Sequence, residues 1–485
     1  MQVTFIGLVV VLAGIIMLFS RSLEALLAYT MVCTLMGGSG ALIATSLGSS
    51  SISPANVALV FLALRTLMPE DGAPKALGEA FKANVLFFCF AVYAALSAAV
   101  MPRIFEDQIS VVPLKPVGLR SLLDSFPLKP SSQNITSPVY IFGSFLIAYC
   151  SFVAIHRRSG AVMFVKASIW ITWIHIGLGL AGVLLPNAVW SIISSIFRNG
   201  SYAQVEQSIG GFVRIAGIFP EPSTYAGYGF CWLALTVELW LRDVLPRRTG
   251  PAAAAMAITL VISTSSSAYV SLAVYALIIF LRMVMFPSFF RSDKIVRICL
   301  LGLAAATLAS LVMVAQPSFA ESLIKILRVM TVDKADSESG IQRAFWARQG
   351  ISAFQISYGL GIGAGSFRSS SLGTAILGSM GIIGTVTFLG YLAKIYGPIK
   401  GGGGKAKTAL EAVGDAASWA AICSIIPSMI GAASPDPGAN FAIFAGVALG
   451  LRNLQKSATR STDAPHRPIT SLPATTARAL DQSRN

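Results

Sequence analysis

Long apolar runs, each closed by a short polar stretch, make up most of this chain. Read by hydropathy, they predict thirteen candidate membrane spans: 3–19, 23–44, 52–68, 83–101, 138–155, 161–185, 224–241, 251–265, 267–286, 298–316, 372–397, 415–433 and 439–451. A run of about 18 apolar residues is what a helix needs to cross the hydrocarbon core. The runs 251–265 and 439–451 are shorter and leave the count at twelve to fourteen. The fold class this predicts is all-α, a polytopic membrane bundle over residues 1–451. No basic residue precedes the first run, so 3–19 is expected to stay as a transmembrane helix rather than be removed as a signal.

Composition agrees with the pattern. Of 485 residues, 55% are apolar and 12% charged, and the mean hydropathy is +0.72. A soluble domain carries roughly 25% charged residues. This balance excludes a soluble enzyme, a disordered chain and a collagen-like fibre. The six cysteines, Cys33, Cys89, Cys150, Cys231, Cys299 and Cys423, each lie inside an apolar run and form no CxxC pair. They are expected to be free thiols acting as small buried hydrophobes. Three scattered histidines, His156, His175 and His466, suggest no metal cluster.

The net charge of +15 could point to nucleic acid, but its distribution points to a membrane. With the N-terminus outside, 24 of the 36 basic residues and 11 of the 21 acidic ones fall on one side, a net +13, leaving +2 on the other. That is the positive-inside signature, and nucleic acid is not expected as a partner. The inner side has short loops, a flexible Gly401–Gly404 stretch and a Ser/Thr/Pro/Arg-rich tail, 452–485, expected to be disordered.

Three long loops, 102–137, 186–223 and 317–371, fall on the outer side, and loops of that length usually carry function. Within the second, 187–199 places Trp190, Ile193 and Phe197 on one helical face, as in a short interfacial helix. The same loop ends in Arg214-Ile-Ala-Gly-Ile-Phe-Pro-Glu221, followed by Pro222, Ser223, Thr224 and Tyr225. Proline, serine and threonine open helices well, and a helix N-terminus at the membrane boundary favours an anion such as phosphate. The bland alternative is an arginine paired with Glu221 to pin the loop.

The third loop carries Asp333, Lys334, Arg343 and Trp346, then Gly359-Leu-Gly-Ile-Gly363-Ala-Gly365-Ser-Phe-Arg368 with Ser369, Ser370 and Ser371. These glycines do not make a dinucleotide site, since no strand–helix–strand unit surrounds them. They let backbone approach a ligand closely, and an arginine fork can hold a pyrophosphate. A solvated glycine-rich turn is the alternative. Asp436, in Ser434-Pro-Asp-Pro-Gly438, is a turn residue that could also floor a site, and His175 lies in mid-membrane near Trp170 and Trp173. Topology therefore gathers Arg214, Arg343 and Arg368 beside Glu221, with no set of metal ligands. Three arginines can neutralise a pyrophosphate leaving group without a metal, and a carboxylate can take a proton from a sugar hydroxyl.

On these stretches the chain resembles the Wzy-type polysaccharide polymerases and the related O-antigen ligases. Ser263-Thr-Ser-Ser-Ser-Ala268, Leu128-Lys-Pro-Ser-Ser-Gln-Asn-Ile-Thr136, Pro435-Asp-Pro-Gly438 and Leu377-Gly-Ser-Met-Gly-Ile-Ile-Gly384 add to the likeness. The resemblance implies a GT-C-like glycosyltransferase of the bacterial inner membrane, facing the periplasm. It would polymerise oligosaccharide repeats carried on undecaprenyl pyrophosphate, with no cofactor, nucleotide sugar or metal. Its partners would be that lipid-linked glycan, the bilayer, a flippase and a chain-length regulator. Arg214 and Arg368 would act at the reacting pyrophosphate with Glu221 as base, and Arg343, Ser223, Tyr225, Ser369 and Ser370 would bind substrate. Ligases place a His-Asn pair where this chain reads Arg368-Ser-Ser-Ser, which favours a polymerase over a ligase. A lipid-linked oligosaccharide transporter is the third reading. The lack of mid-membrane charges and of an internal repeat weighs against it.

Overall fold

The structure, a computed structural model, describes residues 2–462 apart from 45–49, 69–72, 116–122, 158, 200–207, 210–211, 288–290, 317–320, 322–327, 329–335 and 398–407. The Gly401–Gly404 stretch, Asp333, Lys334 and the tail beyond 462 lie outside the described residues. The protein is all-α. In order the helices are α1 (Phe5–Ser20), α2 (Leu23–Cys33), α3 (Pro54–Leu67), α4 (Ala73–Ile104), α5 (Gln133–Ile155), α6 (Gly160–Leu184), α7 (Asn187–Phe197) and α8 (Pro222–Leu241). They continue with α9 (Pro246–Ile262), α10 (Ser266–Met285), α11 (Ser292–Ala315), α12 (Glu338–Ile356), α13 (Leu372–Tyr396), α14 (Ala409–Cys423), α15 (Ile425–Gly431) and α16 (Ala439–Thr462). Two- and three-residue strands edge the bundle. Gln2–Val3 pairs with Leu42–Ala44, which pairs antiparallel with Ser50–Ile52.

The outer faces carry large apolar side chains, as α1 shows with exposed Phe5, Ile16 and Phe19, while the centre combines buried aromatics such as Phe87, Trp232, Tyr391 and Phe441 with many alanines. α14 packs on α16, with Gly414 against Leu451 and Ser418 accepting from Arg452 at 3.2 Å, and α16 packs on α5. Gly446 of α16 sits so close to α5 that an added methyl would stand 2.2 Å from the Ala148 carbonyl oxygen. Small residues let helix backbones approach where lipid supplies no hydrophobic drive between helices. α4 and α13 flank this centre on one side, and α8 and α9 on the other.

Among the described residues six segments are long and apolar enough to cross a membrane: Lys75–Ile104, Gln133–Ile155, Gly160–Leu184, Ser266–Met285, Leu372–Tyr396 and Ala409–Gly431. The expected span 23–44 is not one helix. It stops at Cys33, passes through a 3-10 turn and re-emerges as the strand Leu42–Ala44, because Gly37, Gly38 and Gly40 interrupt it. The span 415–433 breaks at Ser424, since Pro427 has no N–H to donate to the Cys423 carbonyl. The last helix runs on to Thr462, so residues 452–462 are helical rather than part of a disordered tail. Two cysteines, Cys89 and Cys299, are exposed on helix faces rather than buried.

The long loops are partly helical. The expected interfacial helix appears as α7, its Trp190, Ile193 and Phe197 edge half-buried and its Val189, Ile192 and Ile196 edge exposed. The third loop contains α12, which buries Gln342, Trp346, Gln349 and Ala353 at helical spacing. The glycine-rich segment after it docks on α13. Gly381 breaks α13 with φ +57° and ψ −148°, a conformation open to glycine alone. The segment completes the broken ladder: Ile362 N–H donates to Gly378 O, Gly363 N–H to Ser379 O, and Ile382 N–H to Gly359 O, all at 2.8–2.9 Å.

Candidate functional site

Glu221 is the N-cap of α8, with Pro222 as the first helical residue. Its backbone N–H reaches the Thr224 hydroxyl at 3.3 Å, and its carbonyl accepts from Tyr225 N–H at 3.1 Å. The Ser223 hydroxyl donates to the Glu221 carboxylate. The helix terminus expected to offer free N–H groups to a phosphate therefore carries its own carboxylate, which the helix dipole favours there. Among the described residues no ion pair joins an arginine to Glu221.

The three arginines reach this point from three segments. Arg214 donates from Nε to the Thr264 carbonyl at 3.2 Å, which ties it to the short turn 263–265 between α9 and α10. Arg343 projects from α12 and, with Glu221 and Ser223, lines a cavity of about 410 Å³. Arg368 lies at the end of the glycine segment, its backbone N–H held by the Val112 carbonyl at 2.8 Å. Its guanidinium lies over the Trp346 ring, and its Nε is buried without a partner.

Electrostatics tie the four groups together. Burial lowers the pKa of Arg368; Glu221 opposes that shift and Arg343 adds to it. Burial likewise lowers Arg214, again opposed by Glu221 and reinforced by Arg343. Each arginine thus senses the same carboxylate and the same neighbouring cation. Arg343 lines the cavity, while Arg214 and Arg368 are not among its described lining residues. Three guanidinium groups sensing one carboxylate leave an excess of positive charge in this neighbourhood, suited to an anion of two or more charges.

Three of the expected substrate-binding residues point elsewhere. Tyr225 is fully buried, stacks on His175 with ring centres 4.0 Å apart, and donates to the His175 carbonyl. Ser370 is buried and donates to the Arg343 carbonyl at 2.6 Å. Ser369 pairs with Thr374 Oγ1 at 2.8 Å, and its N–H reaches the Ala433 carbonyl. These serines position the arginine-bearing segments rather than face the cavity. The glycines also serve the protein's own packing. An added methyl on Gly365 would stand 2.1 Å from the Gln133 carbonyl oxygen, so this turn approaches the start of α5 rather than open space.

Tyr228, which closes the Arg214-to-Tyr228 stretch, lies on the cavity wall with its hydroxyl 2.8 Å from that of Thr34. Thr34 and Asn440 are lining residues that the sequence did not flag, and Asn440 has a buried, unpartnered Oδ1. An asparagine at the head of an apolar helix was the readable signal for the last. Asp436 accepts from Ser144 Oγ at 2.7 Å and from Gly438 N–H at 3.0 Å. Burial pushes its carboxyl up to about 6, against those two bonds. At the far end of α8, the fully buried Glu238 pairs with Arg242 and Arg282, a charge cluster the sequence reading passed over.

Comparison of the chain with protein-family models, with curated proteins and with solved structures finds no match.

Proposed function

We propose that this chain is a membrane glycosyltransferase that polymerises oligosaccharide repeats carried on a polyprenyl pyrophosphate, as its resemblance to the Wzy-type polymerases implies. The reading places the protein in the bacterial inner membrane with its cavity toward the periplasm and gives it a GT-C-like organisation. The observation that carries it is the gathering of Arg214, Arg343 and Arg368 around Glu221, with Arg343 and Glu221 lining one cavity. Arginines would hold the two phosphates and take up the charge that develops as the sugar–phosphate bond breaks. Glu221 would accept the proton of the attacking sugar hydroxyl as the new carbon–oxygen bond forms. The lipid pyrophosphate leaves, and the released proton passes on to solvent.

The test is deletion of the gene followed by sizing of the cell's lipid-linked and released glycans. Single repeats accumulating on the carrier, with long chains gone, support polymerisation. Long chains that persist on the carrier but never reach a final acceptor would make the protein a ligase.

A further inference from the structure

A second cavity of about 890 Å³ opens between α3, α4 and α5, within the range of small-molecule pockets. Its walls are apolar, among them Leu59, Ala99, Val139 and Leu146. Val139 is 60% exposed, and Leu96 and Val100 on the neighbouring face of α4 are also open, so the groove faces the side of the bundle. From Asn134 to Leu146, α5 drops about 18 Å at a rise of roughly 1.5 Å per residue. That is a little over half of a ~30 Å hydrocarbon core, the depth of one leaflet.

The mouth of the groove is polar and has one sign of charge. Ser131, Ser132 and Asn134 rim it with Arg103, and no Asp or Glu is among the described residues that line it. The rim is also joined to the arginine site. Asn134 Nδ2 donates to the Ala364 carbonyl at 3.0 Å and to Ser366 Oγ at 2.9 Å, within the turn that carries Arg368. Both cavities border the start of α3, since Ser53 and Ala55 line the first while Ile52 and Asn56 line the second.

We propose that this groove seats the polyprenyl chain of the donor lipid, with Arg103 at its mouth and the pyrophosphate directed toward Arg368. The proposal rests on the function given above and names where that substrate's tail lies. An apolar channel one leaflet deep, with a cationic mouth tied to the arginine-bearing turn, fits a long hydrocarbon chain ending in an anion. A bulk phospholipid would fill the same walls but would have no use for the link to Arg368.

The test uses the full-length protein in phosphatidylcholine nanodiscs and a tritiated polyprenyl pyrophosphate with a photoreactive group on its chain. Label should map to peptides spanning 95–103 and 131–146. It should fall at least fivefold in Ala99→Trp and Val139→Trp, which fill the groove from two helices, and stay unchanged in Leu96→Trp on the open face of α4. Label spread evenly over the bundle, or displaced by excess phosphatidylglycerol, would overturn the proposal. Turnover separates the two claims. Specific label in a wild type that never extends repeats would refute the function and leave the groove. Full polymerisation by both groove-filled variants would refute the groove and leave the function.

Discussion

The Arg368 guanidinium carbon lies 4.6 Å from the centre of the Trp346 ring. The two residues come from different elements, one from the glycine segment and one from α12. The indole face holds the guanidinium in place, and the buried Nε of Arg368, which has no partner of its own, is available to an anion. Trp346→Ala should therefore weaken polymerisation by roughly 5–30-fold, as expected for about 1–2 kcal/mol of cation–π contact. Arg368→Lys should not restore what Arg368→Ala loses, because an ammonium neither stacks nor forks. Glycan chain length on gels, normalised to the amount of protein in the membrane, checks both.

Arg214 is anchored by a backbone carbonyl, so its replacement should spare the fold. Arg214→Ala is expected to abolish long chains at normal membrane abundance, and normal polymer from this variant would remove it from the site. The same gel assay decides.

Glu221→Gln keeps the shape of the N-cap and the contact with Ser223 but cannot take a proton. Turnover should fall by about 100-fold or more, as for loss of a general base, while melting temperature changes little. A variant that melts well below wild type and recovers its rate on cooling would mean the carboxylate serves the helix end alone.

Ser370→Ala removes one buried bond to the Arg343 carbonyl, a loss of about 1 kcal/mol in stability. Turnover should drop more than stability, since α12 would no longer hold Arg343 in register with Arg368. Paired melting and rate measurements separate the two.

Asp436 gives a dependence on pH. Its carboxyl rises from 3.8 to about 6 on folding, so the folded protein binds the proton more tightly than the unfolded chain does. The stability this contributes is fully present below pH 3.8 and is lost as pH rises toward 6. Asp436→Asn retains an acceptor for Ser144 and Gly438, so it should flatten this part of the melting profile. An unchanged slope between pH 4 and pH 7 in the variant would place the titration elsewhere.

The apolar runs made the helical class legible, because a stretch such as Gln133–Ile155 has few other uses. Hydropathy averages could not see the break in 23–44, where Leu35, Met36, Ala41 and Leu42 keep the mean high across three glycines. α12 was read as loop because its mean apolarity is low, although Gln342, Trp346, Gln349 and Ala353 follow helical spacing. In the site, sequence position brought Arg214, Arg343, Arg368 and Glu221 to one end of the bundle. It could not say which way a side chain turns, so Tyr225, Ser369 and Ser370 were expected to meet a ligand and instead hold the frame.

The break at Gly381 has a bearing on how this protein can change. Its three hydrogen bonds stitch the glycine segment into α13, so the segment lends the helix the partners that lipid cannot supply. One residue added or removed between Gly359 and Gly363 would shift that stitching out of step and leave backbone groups bare inside the bundle. The stretch leading to Arg368 is therefore fixed in length like a transmembrane helix, and variation in chain length among descendants of this protein must be taken up elsewhere.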